Sequence, residues 1–438
     1  MRFGPFHLKK KAMKRTHFAL PLIWLVFIPS AAFAQTGSQA INDDVKKVFA
    51  APAVKRALAF LQATEPETIN EQIRTCEIPA PPFKEQVRAV YYQQQFTKLG
   101  LKNVRIDREG NVLGERPGTP AGNAPVLVLA AHLDTVFPEG TNVKVKRAGN
   151  ILTAPGIGDD CRGLTVMQAV IRALNQEKIE TKGTIIFVAN VGEEGLGDLR
   201  GAKYLFNTEL KGRITHFISI DGTGLGITNA GVGSNRYRVT FNGPGGHSFG
   251  AFGLPSPIHA LGRAIEKVSR FQVPKTPKTT FTVGRIEGGT SVNSIAHTAW
   301  MEVDMRSESA AELAQLDAQF QQAMQSSLNE ENEFWHHEKK LTVDVKLVGK
   351  RPVGEQAADA PIVQIALAAN ASMSITTKLG ASSTDSNVPL SLGIPALTID
   401  GGGKGSGAHA LDEGFDTTNS HLGTQRALLI VLGIVGLK

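Results

Sequence analysis

Acids and histidines recur in this sequence directly after predicted strands, in a pattern that can hold metal ions and activate water. They are His132, Asp134, Asp159, Asp160, Glu193, Glu194, Asp221 and His409. A single acid after a strand is typically a helix cap or a turn residue. Five such positions at one predicted sheet edge are harder to explain in that way. Imidazole nitrogens and carboxylate oxygens are zinc ligands, and a catalytic zinc site keeps one position open for water.

The supply of ligands suits two metal ions that share a bridging carboxylate. His132 and Asp134 are two residues apart, so their side chains point the same way on a strand, and Asp134 can fix the ring of His132. Glu193 and Glu194 can divide two roles, one carboxylate binding a metal while its neighbour takes a proton from water. The pattern therefore predicts a hydrolytic two-metal site.

Buried strands separated by helices are expected to position these residues. Apolar runs at 125–131, 184–190 and 216–220 are each followed by a polar or glycine-rich loop. This order indicates a parallel sheet covered on both faces, with its site at the carboxyl ends of the strands. We expect a mixed, mostly parallel sheet with helices on both faces.

The pattern changes near residue 233. Alternating strands and two helical segments follow in the order strand-helix-strand-strand-helix-strand, which is typical of a two-layer α+β sandwich. After 348 the first pattern returns. We therefore predict a leader at 1–34, a catalytic domain in two parts at 35–232 and 348–438, and an inserted domain at 233–347.

Residues 1–34 have the pattern of a secretory signal. They contain six basic residues and no acid, an apolar stretch at 18–28, and the small residues Ala32 and Ala34 before Gln35. An uncleaved anchor is the alternative, but the stretch is shorter than the roughly 20 apolar residues that a spanning helix needs. We predict cleavage near Ala34-Gln35 and a periplasmic or secreted protein without a stable membrane anchor.

Most of the net positive charge of the chain lies in the predicted leader. The 438 residues include 47 basic and 40 acidic ones, for a net charge of +7, and removing the six basic residues of the leader leaves 41 against 40, or +1. A nucleic-acid-binding body would need a basic stripe on a folded face, so we expect no nucleic-acid partner. Two cysteines, Cys76 and Cys161, are too few for a disulfide framework.

Five segments resemble one known family in their order and spacing. They are Ala131-His-Leu-Asp-Thr135, Gly156-Ile-Gly-Asp-Asp160, Val191-Gly-Glu-Glu-Gly-Leu-Gly-Asp-Leu-Arg200, Gly243-Pro-Gly-Gly-His-Ser248 and Ala408-His-Ala-Leu-Asp-Glu413. The family is the co-catalytic zinc family of peptidase T, glutamate carboxypeptidase, acetylornithine deacetylase, succinyl-diaminopimelate desuccinylase and aminoacylase. The resemblance covers nearly the whole chain after the leader and implies that the inserted domain is a lid or dimerisation domain.

The resemblance implies two zinc ions and assigns their ligands. His132 and Asp221 would bind the first zinc. Asp159 would bridge the two ions, and Glu194 and His409 would bind the second. Co²⁺ or Mn²⁺ would also suit these ligands.

Further roles come from the same resemblance. Glu193 would be the general base, and Asp134 would orient His132. His247 matches a lid histidine that, in dimeric members, reaches the partner's active site and steadies the substrate carbonyl. Asn293 and Arg306 resemble lid positions that hold substrate, although a turn asparagine and a surface arginine explain them equally well.

The implied chemistry is amide hydrolysis by an activated water. Two zinc ions would supply the Lewis acidity that activates a water, Glu193 would accept the proton of that water, and the water oxygen would attack the carbonyl carbon. Zinc and His247 would stabilise the oxyanion, and Glu193 would then pass the proton to the leaving amine.

We expect an exported exopeptidase acting on short peptides, since Asp221 at the first-zinc position resembles the peptidase members more than the deacylases. The alternative enzyme is an N-acyl amino acid deacylase that uses the same residues. A non-catalytic binding protein would be expected to lack the base or a ligand, and all of these are present. The resemblance also allows a homodimer that forms through the lid domain.

The two cysteines lie in segments that the resemblance places near the site. Cys161 follows the bridging-acid pair, where the family often has Lys or Met. A thiolate can bind zinc, but the carboxylate set already fills the predicted site. Cys76 precedes a segment that lies near the site in relatives, so the two thiols could pair in an oxidising compartment.

Overall fold

The computed structural model describes residues 31–119 and 122–438, with side chains from residue 39 onward in its first helix. Most of the predicted leader therefore lies outside the described residues, and the predicted cleavage site Ala34-Gln35 falls inside the first helix. Within the described ranges, no helix combines the length and the apolar character that crossing a bilayer requires.

The helices pack mainly on the faces of two large sheets. They are α1 (Ala31–Ala50), α2 (Pro52–Ala63), α3 (Glu65–Cys76), α4 (Gln86–Lys98), α5 (Cys161–Gln176), α6 (Arg200–Tyr204), α7 (Pro257–Ser269), α8 (Ala310–Trp335), α9 (Pro361–Ser372), α10 (Asn387–Ser391) and α11 (His421–Val435). A 3₁₀ turn at Gly195–Gly197 precedes α6, and a π-helical turn at Leu205–Glu209 follows it.

The strands form two large sheets and two small ones. They are β1 (Lys102–Ile106), β2 (Val112–Arg116), β3 (Val126–His132), β4 (Lys146–Ala148), β5 (Ile151–Thr153), β6 (Thr184–Asn190), β7 (His216–Ile220), β8 (Ile227–Gly231), β9 (Gly233–Asn242), β10 (Gly246–His247), β11 (Thr279–Gly288), β12 (Ser294–Ile295), β13 (Thr298–Ser307), β14 (Thr342–Arg351), β15 (Gly354–Glu355), β16 (Leu379–Ser382), β17 (Ala396–Ile399), β18 (Lys404–Ser406) and β19 (Gly414–Asp416).

The central sheet has the order β1-β2-β6-β3-β7-β17-β8-β15, with β16 paired to β8. Its middle strands β6, β3, β7 and β17 run parallel, whereas β2 and β8 are antiparallel to their inner neighbours. The predicted mixed sheet is therefore confirmed. Parallel strands end at the same sheet edge, so the loops after β3, β6 and β7 lie together.

Alternate residues of the middle strands are buried on opposite faces of the central sheet. Leu127 and Leu129 of β3 pack in one core with residues of α2, α5, α9 and α11, while Val128 and Ala130 pack in the other with residues around α6 and α10. Burial on both faces explains why these strands are continuously apolar. The result is a rigid support for the loops at the strand ends.

The second large sheet is antiparallel, with the order β11-β13-β9-β14. One face packs on α7 and α8 through a separate core that includes Phe241, Met301 and Phe320. The element order agrees with the predicted inserted α+β sandwich, and the strands of this second sheet lie between Gly233 and Arg351. The residue boundaries of the domains stay a prediction.

Candidate metal centre and catalytic site

The carboxyl ends of three parallel strands bring most of the predicted site residues together. His132 is the last residue of β3 and lies opposite Asn190, the last residue of β6. Glu193 and Glu194 follow β6, and Asp221 follows β7 on the other side of β3. All three strands are buried, so the positions of these side chains are set by the core rather than by solvent-exposed loops.

A tight turn before α5 delivers Asp159 to the same edge. The turn is held by Glu413, whose carboxylate accepts hydrogen bonds from the backbone N–H groups of Gly156, Gly158 and Asp159 at 2.8–3.1 Å. Asp160 caps α5 by accepting from the backbone N–H of Gly163 at 2.9 Å. One carboxylate from a distant part of the sequence therefore fixes the loop that carries Asp159.

Asp159 lies between the two predicted histidine ligands. Its Oδ1 is 3.0 Å from Nε2 of His132, and its Oδ2 is 3.1 Å from Nε2 of His409. The same nitrogen of His409 is 3.2 Å from Oε1 of Glu194. Each oxygen of Asp159 thus faces a different imidazole, which is the arrangement that a bridging carboxylate needs.

Among the residues that the structure describes, three groups of side chains present ligand atoms within 4.8 Å of one another. The groups are His132, Glu193 and Glu194; His132, Asp159 and Asp221; and Asp159, Glu194 and His409. The second and third groups share Asp159 and match the two ligand sets that the resemblance implies, so the donor set fits a pair of divalent ions.

The buried acids carry more negative charge than the protein groups around them neutralise. Burial, reinforced by the charge of Asp159, raises the pKa of Asp221 to about 8. Burial also raises the pKa of the Glu193 carboxyl well above its usual value. Hydrogen bonds with Asp159 and Glu194 raise the pKa of His409 to about 10. Such a cluster favours cations, and divalent metal ions would balance it.

Asp134 contacts different atoms from those predicted. Nδ1 of His132 lies 3.0 Å from the main-chain oxygen of Asp134, while the nearest carboxylate oxygen is 3.7 Å away, too far for a hydrogen bond. The carboxylate instead accepts from the backbone N–H groups of Glu193 and Glu194 at 3.1 and 2.8 Å. Asp134 therefore orients the ring through its backbone and holds the glutamate pair through its side chain.

An open cavity of 580 Å³ lies over the acids and is lined by both parts of the fold. Its walls include Asp159, Glu193, Glu194, Asp221 and His409 from the central sheet, and the second sheet contributes arginines. The remaining wall carries many hydroxyl groups, from Thr223, Thr228, Ser382, Ser383, Thr384 and Thr398. The cavity is therefore polar and suits a substrate with hydrogen-bonding groups.

Of the three predicted lid residues, one lines this cavity. Arg306 does so, and its Nε donates to Asp304 at 2.7 Å. His247 pairs with Ser294 where β10 meets β12, Asn293 directly precedes β12, and neither His247 nor Asn293 is among the described residues that line the cavity. Asn293 lies in a turn, and its side-chain oxygen accepts a hydrogen bond from Ser291, so its role in holding substrate stays a prediction.

Several residues of the site were missed at the level of sequence. Arg236 lines the cavity and donates to the other oxygen of Asp304, at 2.9 Å. Arg351 also lines the cavity and contacts Glu193. Glu413 lies within a family segment, which was a usable signal, whereas the arginines belong to ordinary alternating strands and carry no motif.

Cys76 and Cys161 are buried free thiols in one small core with Phe415. Contact with the Cys161 thiol, together with burial, raises the pKa of Cys76 well above its usual value. Among the described groups of potential metal ligands, none includes either cysteine. The pairing of these two thiols in an oxidising compartment stays a hypothesis.

The fold and the site define a metallohydrolase. The profile of the family described as peptidase family M20/M25/M40 matches residues 128–432, which is more than half of the chain. The protein therefore belongs to this family, as the resemblance indicated.

Relatives within the family differ in their activities. The chain is 26% identical to protein YqjE of Bacillus subtilis over 352 residues, which cover 76% of this chain and 90% of YqjE. It is 24% identical to carboxypeptidase G2 of Pseudomonas sp. over 218 residues, covering 48% of this chain and 51% of that protein. It is 26% identical to N-acetylcysteine deacetylase of Bacillus subtilis over 238 residues, covering 50% and 58%.

Solved structures share the fold. Aminopeptidase PepT from Bacillus cereus has a TM-score of 0.68 at 22% identity, covering 84% of this chain and 98% of PepT. The YxeP protein of Bacillus subtilis, described as a dinuclear metal-binding peptidase, has a TM-score of 0.62 at 16% identity, covering 85% and 99%. At these identities the likeness shows the fold alone.

Proposed function

We propose that this protein is an exported, zinc-dependent exopeptidase that hydrolyses amide bonds of short peptides. The observation that carries the proposal is the position of Asp159 between His132 and His409, with Glu194 beside His409. The similarity to carboxypeptidase G2 supports a peptidase, and the description of YxeP as a dinuclear metal-binding peptidase supports two metal ions at this place.

Each residue of the site has a role in this proposal. His132 and Asp221 would hold one zinc, Glu194 and His409 the other, and Asp159 both; bound zinc would supply the Lewis acidity that lowers the pKa of water. The carboxylate of Glu193 lies beside these ligands and would accept the proton of the attacking water. The same carboxyl group would then donate the proton to the leaving amine.

Arg306 is the candidate anchor for a substrate carboxylate. Its Nε is held by Asp304, while no bond to its terminal nitrogens is found within the described chain, so both can pair with a carboxylate. Peptides and N-acyl amino acids both carry such a group. This feature therefore supports an exo-acting enzyme without choosing between the two substrates.

The alternative is an N-acyl amino acid deacylase. The same water and base would act, and the similarity to N-acetylcysteine deacetylase supports this alternative. A non-catalytic binding protein is a more remote alternative, because the predicted base and every predicted ligand are present in the site.

A substrate screen on the mature protein tests the proposal. The protein, expressed from Gln35, would be incubated with dipeptides, tripeptides and N-acetyl amino acids, with and without Zn²⁺, and released free amine would be measured. Release from peptides only in the presence of metal is the expected result. Release from N-acetyl amino acids alone would select the deacylase, and two bound zinc ions without any hydrolysis would favour the binding protein. Co²⁺ and Mn²⁺ would be compared in the same assay.

We also propose a homodimer through the second sheet and its helices. His247 is exposed and lies outside the cavity of its own chain, so a partner chain is the place where it can meet a substrate carbonyl. Phe249 and Phe252, in the same loop, are 89% and 78% exposed. Exposed aromatic residues in one loop are typical of an interaction surface.

Export is part of the proposal and has its own test. The basic and apolar segments of residues 1–34 support it. N-terminal sequencing of the protein recovered from an exporting bacterial host should begin at or near Gln35. An intact N-terminus on all recovered protein would contradict it.

A further inference from the structure

Arg351 reaches from the end of the second sheet to the predicted catalytic base. It is the last residue of β14, and its side chain is only 5% exposed. Its Nη1 donates to Oε1 of Glu193 at 3.0 Å and to the hydroxyl of Ser383 at 3.1 Å. Its Nη2 donates to the main-chain oxygen of Glu193. One guanidinium therefore holds both the side chain and the backbone of Glu193.

Further contacts join the segment 193–198, which we name the base loop, to the second sheet. The backbone N–H of Lys350 donates to Oδ1 of Asp198 at 2.8 Å. Lys203 bridges Oδ2 of Asp198 and the main-chain oxygen of Lys350. Arg236 of β9 donates to the main-chain oxygen of Gly195. The base loop is thus tied to two strands of the second sheet.

We propose that Arg351 is a positioning residue that aims the carboxylate of Glu193 and couples it to the second sheet. By holding Oε1, the guanidinium leaves Oε2 to receive the proton from water. The proposal rests on the proposed function, in which Glu193 is the base. Because Arg351 belongs to β14, a shift of the second sheet would act on the base through this contact.

The chemistry of arginine suits this role better than that of lysine. The planar guanidinium presents several N–H groups in a fixed arrangement and can bond a carboxylate and a carbonyl at the same time. A lysine ammonium could reach one of these acceptors but would not fix their relative orientation. Since both Nη atoms of Arg351 are already bonded, Arg306 is the better placed of the two for binding substrate.

Steady-state kinetics of three variants test the role in the metal-loaded enzyme. Arg351→Met should lower kcat by about 100-fold, the size expected when a catalytic group is misplaced by about an ångström. KM should stay within about threefold and the metal content should not change. Arg351→Lys should recover part of kcat. Lys350→Met is the matched control, because the Lys350 side chain is exposed and only its backbone contacts the base loop, so its kinetics should equal those of the parent.

Hydrogen–deuterium exchange provides a second measurement that needs neither metal nor substrate. In the metal-free protein, the backbone amides of the base loop should exchange at least about tenfold faster in Arg351→Met than in the parent and in Lys350→Met.

Three results would overturn the positioning role. They are unchanged exchange of the base loop, a rise in KM at constant kcat, and loss of activity that tracks loss of metal. If the parent hydrolyses no substrate, or if Glu193→Gln keeps full activity, the proposed function fails. The exchange result would still decide whether Arg351 holds the loop.

Discussion

At the scale of single residues, charge and proximity decide what the candidate site can do. Asp159 contacts both predicted histidine ligands, and their hydrogen bonds hold its pKa below the usual value in spite of burial. Asp221, buried without such a partner, has its pKa raised to about 8. Two acids of the same type thus differ because only Asp159 is hydrogen-bonded to imidazole rings. Metal ions would remove this difference by giving Asp221 a cation.

Replacing the base isosterically should separate catalysis from metal binding. We expect Glu193→Gln to lower kcat by about 1,000-fold, within the range for removing a general acid–base group, since the amide cannot accept the proton. Zinc content, measured by mass spectrometry, should stay at two ions per chain. Glu338→Gln, at an exposed glutamate in the loop between α8 and β14, should behave as the parent. Full activity in Glu193→Gln would refute the assignment of the base.

Metal binding should release protons and strengthen as pH rises. In the metal-free protein at pH 7, Asp221 with a pKa of about 8 and His409 with a pKa of about 10 are both mostly protonated. A metal ion must displace these protons, so zinc affinity should rise by about ten- to a hundredfold per pH unit between pH 6 and 8. Calorimetry in buffers of different ionisation enthalpy counts the protons. Asp221→Asn should release about one fewer, and a pH-independent affinity would contradict the titration of these groups.

At the scale of elements, the first turn of α5 packs closely against the end of β7, the strand that precedes Asp221. Gly163, in the first turn of α5, has no room for a side chain, because an added Cβ would meet the carboxylate of Asp160 and the main-chain oxygen of Ile220. Asp160 also accepts from the backbone N–H of His132 at 3.0 Å. The cap residue of α5, the end of β7 and the predicted ligand His132 therefore pack against one another.

Enlarging this glycine should harm both stability and the site. We expect Gly163→Ala to lower the free energy of unfolding by about 1–3 kcal/mol through overpacking. Zinc affinity should fall as well, because Asp160 is pushed against His132. Gly262→Ala, at an exposed position of α7 with open space around it, should instead raise stability by about 1 kcal/mol. Chemical denaturation measures both, and equal effects of the two substitutions would contradict the close packing.

At the scale of the whole molecule, the cavity is formed jointly by the two large sheets. The central sheet supplies the acids, and the second sheet supplies Arg236 and Arg306, which share the carboxylate of Asp304. Neither sheet alone supplies both the acids and the arginines that line the cavity. In our proposal, the exposed loop that carries His247 and Phe249 contacts a second copy of the chain, so the substrate site also depends on a partner.

Disrupting the exposed loop should therefore change the oligomeric state. We expect the parent to be a dimer by light scattering and Phe249→Asp to be mainly monomeric, because a charge would be buried at the interface. Activity should fall with the dimer, since His247 would lose its partner site. Leu392→Asp, at an exposed leucine of the central domain, is the matched control and should stay dimeric. A monomeric parent that is fully active would contradict the dimer.

Much of the fold was predictable because its signals are local. Strands β3, β6 and β7 are buried on both faces and are therefore continuously apolar, whereas β9 is buried on one face and alternates between apolar and polar residues. Both patterns are visible in the sequence. The predicted ligands were also visible, because His132 ends one strand and Glu194 and Asp221 follow two others, and these strands end at the same edge. Their convergence at one edge is a property of parallel pairing rather than of any single residue.

The sequence by itself determined the class of fold, the family and the set of residues that can bind metal. Only the tertiary structure decided which atoms meet: the backbone rather than the carboxylate of Asp134 at His132, Glu413 under the Asp159 turn, and Arg351 on Glu193. Two of these three contacts join residues that are far apart in the chain, Glu413 with Asp159 across 254 positions and Arg351 with Glu193 across 158, and they depend on how the sheets and loops pack. Spacing along the chain carries no information about such contacts, because a long-range hydrogen bond leaves no periodic pattern in the sequence.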